Sequence, residues 1–476
     1  MATFKDKEVV AEALGGETSE RPRVKLKKGW LVVLGMTAVG LAVAAVVKLH
    51  PTHLPTVARA VEAAPERGQQ PAKALAAKPA PETATKTAAP QVIVLPPVVL
   101  AVKADTAKAA PKTALAPALS SSLFAKSRAD LRSGAYADAL THLKEARPAA
   151  KADSELKEAV VLEARALLAQ GKIDEARKKF EPLAFSTAET ETGADALLGN
   201  FWCQAGSLSK CRDSELDSVL KGAPSWGGAM AALEEARRLE EKAGDDVPSL
   251  ERARALYQQA LDTNKLDQPT EKDCVARLED LTDRVVLNPR VACTAPKAVF
   301  YKVEAGDVLE KICKRYKVNI GQPKRINHLN DKLIVRLGQV LKLLPGDVVY
   351  KVDRTRLLGT LYIDGVFIRR YPIGIGPGDA TPVGAYTVER KVVNPDWYYD
   401  GKRIPFGDPE NILGTRWMAM VPTDSASPAE GLGVHGTALP DSVPGRESKG
   451  CVRMHNGDVE ELYDFMPQGG RVEIFN

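Results

Sequence analysis

Apolar positions along this chain change rhythm several times, and each change predicts a different kind of segment. The first is an unbroken run, Trp30 to Val47, 18 residues without a charge. As a helix it spans roughly 27 Å, close to the hydrocarbon thickness of a bilayer. Residues 48–118 then lose all periodicity, and Ala, Pro, Lys, Thr and Val dominate them. Such a stretch cannot bury enough apolar surface to fold and reads as a disordered linker, spanning roughly 45–50 Å as a flexible coil. From 119 to 290 the spacing turns helical. Residues 299–345 alternate, turn helical and alternate again. The remainder, 348–476, is a series of short β-rich runs bounded by Gly, Pro, Asn or Asp, with one helix expected over 458–465.

The helical region carries a loose repeat. Leu131-Arg-Ser-Gly134-Ala-Tyr136-Ala-Asp-Ala139-Leu140 returns as Leu168-Ala-Gln-Gly171-Lys-Ile173-Asp-Glu-Ala176, and fainter copies follow at Gly206 and Gly244. The glycines stand 37, 35 and 38 residues apart, near the period of tetratricopeptide-like helix pairs. An irregular helical bundle is the alternative. A repeat array predicts a docking surface for a protein or peptide partner, and nothing in it points to chemistry.

Charge settles the orientation of the first run. Arg21, Arg23, Lys25, Lys27 and Lys28 precede it and few basic residues follow it closely. The positive-inside rule then puts residues 1–29 in the cytoplasm, 30–47 across the membrane as a single-pass anchor, and the rest outside. A cleaved signal peptide, with a small-residue site at Ala58-Arg59-Ala60, is the alternative. The net charge of +5 is small against 127 acids and bases. It gives no reason to expect nucleic acid, and no zinc-finger, Walker or dinucleotide-binding pattern is present. Outside the cytoplasm the six cysteines could form disulfides. Cys203 and Cys211 are near enough in sequence to pair, whereas Cys274, Cys293 and Cys313 have no obvious partners.

Residues 299–345 resemble a LysM module, a small βααβ fold that binds N-acetylglucosamine in chitin or peptidoglycan. The matching residues are Tyr301, Val303, Gly306, Asp307, Leu309, Ile312, Tyr316, Ile326, Asn327, Leu329, Ile334, Gly338, Gln339, Leu341 and Pro345. The resemblance implies sugar contacts from Gly306, Asp307 and Val308 and from Asn327, Leu329 and Asn330. Cys313 stands where the family usually has alanine.

The last domain, expected to be an all-β sandwich or barrel, holds Gly433-Val-His435-Gly436-Thr437 and Ser448-Lys-Gly450-Cys451-Val-Arg453-Met-His455-Asn456. A thiol needs a base to become a nucleophile near neutral pH. Only His435 and His455 lie in the same domain as Cys451. His435 follows a strand and precedes a glycine, so its ring can be presented at a strand end. Gly450 removes bulk beside the cysteine, so the N–H groups of Gly450 and Cys451 can face an oxyanion. A buried structural cysteine is one alternative. A metal held by His435, Cys451 and His455 is another, although a convincing fourth ligand is missing.

The whole of 348–476 resembles the YkuD-type L,D-transpeptidase domain. Its signature, a histidine followed after a gap by Ser/Thr-x-Gly-Cys-apolar-Arg, is met at His435, Ser448, Gly450, Cys451, Val452 and Arg453. Thr381-Pro382-Val-Gly384, Asn394-Pro395-Asp-Trp397 and Leu413-Gly414-Thr-Arg416-Trp417 add further matches. The resemblance implies Cys451 as nucleophile, His435 as its base and the Gly436 carbonyl as the group that orients the ring. Ser448 and Arg453 would support the loop or the substrate's peptide. Lys449 departs from the histidine often found there. No metal or organic cofactor is expected. The expected substrates are peptidoglycan stem peptides and glycan strands, and the expected location is the bacterial inner membrane with the catalytic domain outside. The same chemistry would serve a stem-peptide, lipoprotein or water acceptor. A non-catalytic wall-binding scaffold is the rival from another class.

Overall fold

The computed structural model describes residues 115–185, 188–378, 380–423 and 431–476, with side chains from 121 onward. The expected membrane helix over 30–47 and most of the linker lie outside these residues. Among the described residues no helix is long and apolar enough to cross a membrane. The expected fold class, which included a transmembrane helix, is therefore corrected. The described chain is a helical region, a βααβ module and a curled β-sheet domain.

The helical region comprises α1 (Leu115–Ser133), α2 (Tyr136–Ala146), α3 (Asp153–Ala169), α4 (Ile173–Phe180), α5 (Glu191–Ala205), α6 (Asp213–Leu220), α7 (Trp226–Ala243), α8 (Val247–Asp262) and α9 (Gln268–Leu281). The recurring glycines each follow a helix. Gly134, Gly171, Gly206 and Gly244 come after α1, α3, α5 and α7, all at positive φ, which a side chain would make costly. Alanines 229, 231, 232 and 236 on α7 and 253 and 260 on α8 are fully buried, which lets these helices approach closely. The cysteines are all free, and Cys203 and Cys211 are buried thiols of one apolar cluster.

The small module runs β1 (Val299–Lys302), α10 (Leu309–Tyr316), α11 (Gly321–Ile326) and β2 (Val340–Leu343), with β1 and β2 antiparallel. Cys313 lies inside its core with Val303, Leu309, Ile312, Leu341 and Leu343. Lys342 of β2 points away from that core and is fully buried. Its ammonium donates to the carbonyls of Val285, Asn288 and Val291 at 3.0, 2.9 and 2.7 Å. Three acceptors are what a buried amine requires, and they fasten the module to the end of the helical region.

The last domain contains β3 (Val348–Asp353), β4 (Leu358–Ile363), β5 (Val366–Pro372), β6 (Gly384–Val393), β7 (Trp397–Tyr399), β8 (Lys402–Ile404), β9 (Arg416–Pro422), β10 (Gly433–His435), β11 (Val452–Arg453), α12 (Asn456–Phe465) and β12 (Arg471–Phe475). Eight strands form one mixed sheet in the order β11-β10-β9-β6-β12-β3-β4-β5, while β7 and β8 form a separate hairpin. The expected sandwich or barrel is thus a single curled sheet. The C-terminal strand β12 enters its middle, parallel to β3 and antiparallel to β6. The edge strand β5 does not face solvent bare. Gln258 of α8 accepts from Phe367 N–H, Glu279 of α9 accepts from Arg370 N–H, and Glu271 takes the guanidinium groups of Arg356 and Arg370. Helix side chains so occupy donors that would otherwise invite another strand.

Candidate active site

Strand β10 lies between β9 and β11 and ends at His435, which pairs with Trp417 on one side and Arg453 on the other. Extending the parallel register of β10 and β11 back one residue sets Cys451 beside Gly433. Residues 433 and 435 share a face because strand side chains alternate. By that register Cys451 and His435 fall on the same face of neighbouring strands, two residue levels apart. Gly433 is bare for a reason: a Cβ there would come within 2.7 Å of the Trp417 ring. That ring stacks on the imidazole, with centroids 5.5 Å apart.

His435 is only 2% exposed. Its Nδ1 sits 2.6 Å from the Gly436 carbonyl oxygen. With the proton on Nδ1, Nε2 presents its lone pair. Burial pulls the ring's pKa down to about 4, and the Arg453 guanidinium pulls the same way, against the opposing pull of the Gly436 and Leu413 carbonyls. Burial pushes the Cys451 thiol above the usual thiol range, opposed by the Gly433 amide and the Arg453 charge. At neutral pH the pair is a neutral thiol beside a neutral imidazole. The Cys451 Sγ lies 3.6 Å from the Gly431 carbonyl.

The turn that carries the cysteine is braced from below. Ser448 N–H donates to Ile375 O, and Ser448 Oγ donates to Cys451 O at 2.7 Å. The same hydroxyl accepts Gly450 N–H at 3.1 Å. The expectation that Gly450 N–H faces an oxyanion is thereby corrected, since the Ser448 hydroxyl has taken that donor. Gly450 has φ +128°, and a Cβ would collide with Ala380 O at 2.6 Å. Thr381, fully buried, donates from Oγ1 to Gly450 O at 2.8 Å while accepting Gly376 N–H at 2.9 Å. Arg453 is buried, and its Nε has no hydrogen-bond partner among the described residues.

Other expected participants fall elsewhere. His455 caps α12 and lies 3.3 Å from the Asp458 carboxylate. Among the described residues no group of three or more His, Cys, Asp or Glu is placed to hold a metal. Lys449 lays its ammonium 3.6 Å from the centre of the Tyr399 ring, and Tyr399 stacks on Trp397 at 4.8 Å. The β7–β8 hairpin is thus tied to the residue two before the cysteine.

Two residues that sequence reasoning missed hold the surrounding loops. Asn456 Oδ1 accepts from Thr415 N–H and Thr437 N–H, and its Nδ2 donates to Thr437 O. Asn411 bonds Pro395 O, Ile404 O and Leu413 N–H. Each is one polar residue among several in its stretch, and the local sequence offered no signal that singled it out.

On the small module, Gly306, Val308 and Asn330 are exposed and Leu329 is half-buried. Asp307 and Asn327 are turned to internal work. The Asp307 carboxylate accepts from Tyr301 Oη and Glu304 N–H, which hold it below the usual carboxylate range. The Asn327 carboxamide spends both ends on Pro323 O, Lys342 O and Lys342 N–H. Sugar contact through Asn327 is corrected to a role in holding β2.

The family model described as the L,D-transpeptidase catalytic domain (YkuD) matches residues 347–474, and the LysM domain model matches 301–343. YqjB of Bacillus subtilis, named an L,D-transpeptidase, is 37% identical over 134 residues, covering 28% of this chain and 73% of its own. YkuD of the same organism, also named an L,D-transpeptidase, is 28% identical over 180 residues, or 37% of this chain and 97% of its own. A solved L,D-transpeptidase from Mycobacterium tuberculosis H37Rv is 20% identical, covers 30% of this chain and 75% of its own, and superposes with a TM-score of 0.23.

Proposed function

The chain belongs to the YkuD family of L,D-transpeptidases, and on that premise we propose that Cys451 and His435 carry out the acyl transfer of a peptidoglycan L,D-transpeptidase. The observation that carries the residue roles is the pair itself: a thiol and a base on one face of the neighbouring β10 and β11 segments, with Nδ1 of the base held at 2.6 Å by the Gly436 carbonyl. Sγ attacks the carbonyl carbon of the third residue of a tetrapeptide stem as His435 Nε2 takes the thiol proton. The bond to the terminal D-alanine breaks, His435 returns the proton to the departing amine, and a thioester remains. An amine of a neighbouring stem then adds to the thioester, gives its proton to His435, and expels Sγ to leave a 3→3 cross-link. Cys451 N–H is the donor we assign to the oxyanion, because Ser448 occupies the amide of Gly450. Arg453, whose Nε is buried, would hold the turn through its charge.

The LysM module serves the same polymer by gripping glycan, with Gly306, Val308, Leu329 and Asn330 as its available contacts. Work on the wall polymer supports a catalytic domain outside the cytoplasm. The glycine period of the helical region supports a repeat array that docks a protein or peptide. A cavity of about 480 Å³ lined by Arg128, Arg132, Arg165, Glu158, Glu191 and Asp195 offers such a ligand both charges.

Intact mass after exposure to a carbapenem tests the nucleophile. A single adduct on the wild-type protein that vanishes in Cys451→Ala is expected. An adduct that survives the substitution, or none from folded and reduced protein with either a carbapenem or a tetrapeptide stem, would sink the assignment.

A further inference from the structure

A histidine base is only as well placed as the group that holds its other nitrogen, and here that group is a backbone carbonyl at a turn. Strand β10 ends at His435, and although Gly436 N–H still donates to Arg416 O of β9 at 3.2 Å, the next peptide, which carries the Gly436 carbonyl, leaves the sheet. What meets it is the carboxamide of Asn456, the first residue of α12. Oδ1 accepts from Thr437 N–H at 3.2 Å and from Thr415 N–H at 3.2 Å, and Nδ2 donates to Thr437 O at 3.0 Å. One side chain thus grips the residue after Gly436 by both its amide and its carbonyl, and ties it to the neighbouring loop. The grip leaves no room for side chains: a Cβ on either Gly436 or Gly414 would lie 2.2 Å from Asn456 Oδ1. Two glycines of the site are therefore explained by a third residue.

The helix that presents this carboxamide is itself held at its far end. Asn319 of the LysM module donates to the carbonyls of Tyr463 and Asp464, and Arg325 pairs with the Asp464 carboxylate at 2.8 Å. Lys391 donates to the carbonyls of Tyr463 and Met466. Asn456 is fixed from behind before it fixes the turn.

We propose that Asn456 is a positioning residue for the histidine base: its carboxamide sets the Gly436–Thr437 turn so that the Gly436 carbonyl meets His435 Nδ1. The inference rests on the acyl-transfer reading above for its kinetic consequence, but its structural half does not depend on that reading. A ring N–H held at 2.6 Å gives a proton resonance far downfield, assignable by its absence in His435→Gln. In Asn456→Ala that resonance should disappear or move upfield, and acylation of Cys451 by a carbapenem should slow at least tenfold. Gln322→Ala is the control for stability alone. It removes a buried carboxamide that bonds Leu344 N–H and O in the LysM module and makes no bond to α12 or to the turn. It should lower the melting temperature while leaving resonance and acylation within twofold of wild type.

Asn456→Ala protein that keeps the resonance and acylates within twofold of wild type overturns the proposal, as does loss of both in Gln322→Ala. If Asn456→Ala does not fold, Asn456→Asp keeps the acceptor for both amides and should retain the resonance. Its loss from folded Asn456→Asp would also overturn the proposal. Wild-type protein that shows the resonance but never acylates would count against the acyl-transfer reading and leave the positioning role intact.

Discussion

Before any substrate arrives, burial holds both Cys451 and His435 uncharged, and this constrains how the thiol is activated. A preformed thiolate–imidazolium pair needs a thiol pKa below that of the ring, and here the order is reversed. Proton transfer must accompany attack, with Nε2 as general base. Alkylation of the free enzyme by iodoacetamide reads this directly. The rate at Cys451 should rise continuously from pH 6 to above 9, because thiolate appears only as pH approaches a raised thiol pKa. A plateau reached near pH 5 would show an ion pair and contradict the neutral reading. At this scale the signature residues were legible because they are close in sequence and their chemistry depends on residue type. Thr381 and Asn456 were not assigned roles. Their hydroxyl and carboxamide act on backbone atoms 69 and 19 residues away, contacts that no local pattern encodes.

The elements divide in the same way. Alternation predicted a series of short strands in the last domain, since period two follows from the pleat, but β7, β8 and β11 are too short to show it. It could not say how they order. Placing β12 between β6 and β3, the step that makes one sheet instead of two, is a long-range choice. The LysM resemblance likewise implied the βααβ order that β1, α10, α11 and β2 follow. It did not reveal that Lys342 faces out of the module into a socket of helical-region carbonyls, because lysine at a strand position ordinarily reads as solvent-facing. Lys342→Met keeps the stem and removes the ammonium that serves all three carbonyls, of which Asn288 O keeps only Val291 N–H at 3.4 Å. Urea unfolding should show a loss of about 3 kcal/mol. A change under about 0.5 kcal/mol would show the carbonyls to be satisfied without the lysine.

The described residues fall within one compact unit, Ala109–Asn476, in which the LysM module touches both larger parts. Lys342 joins it to the helical region, and Asn319 and Arg325 join it to α12. Helices α8 and α9 cover the free edge of the sheet. The LysM module is thus fixed, not tethered, relative to Cys451 and His435. Incubation of the protein with a disaccharide tetrapeptide, followed by mass spectrometry of protein and products, tests the central claim most directly. The account predicts release of D-alanine, a mass gain on Cys451 equal to the substrate less D-alanine, and a 3→3 linked dimer, all absent in Cys451→Ala. Unchanged substrate with folded, reduced wild-type protein, or turnover that persists in Cys451→Ala, would contradict it.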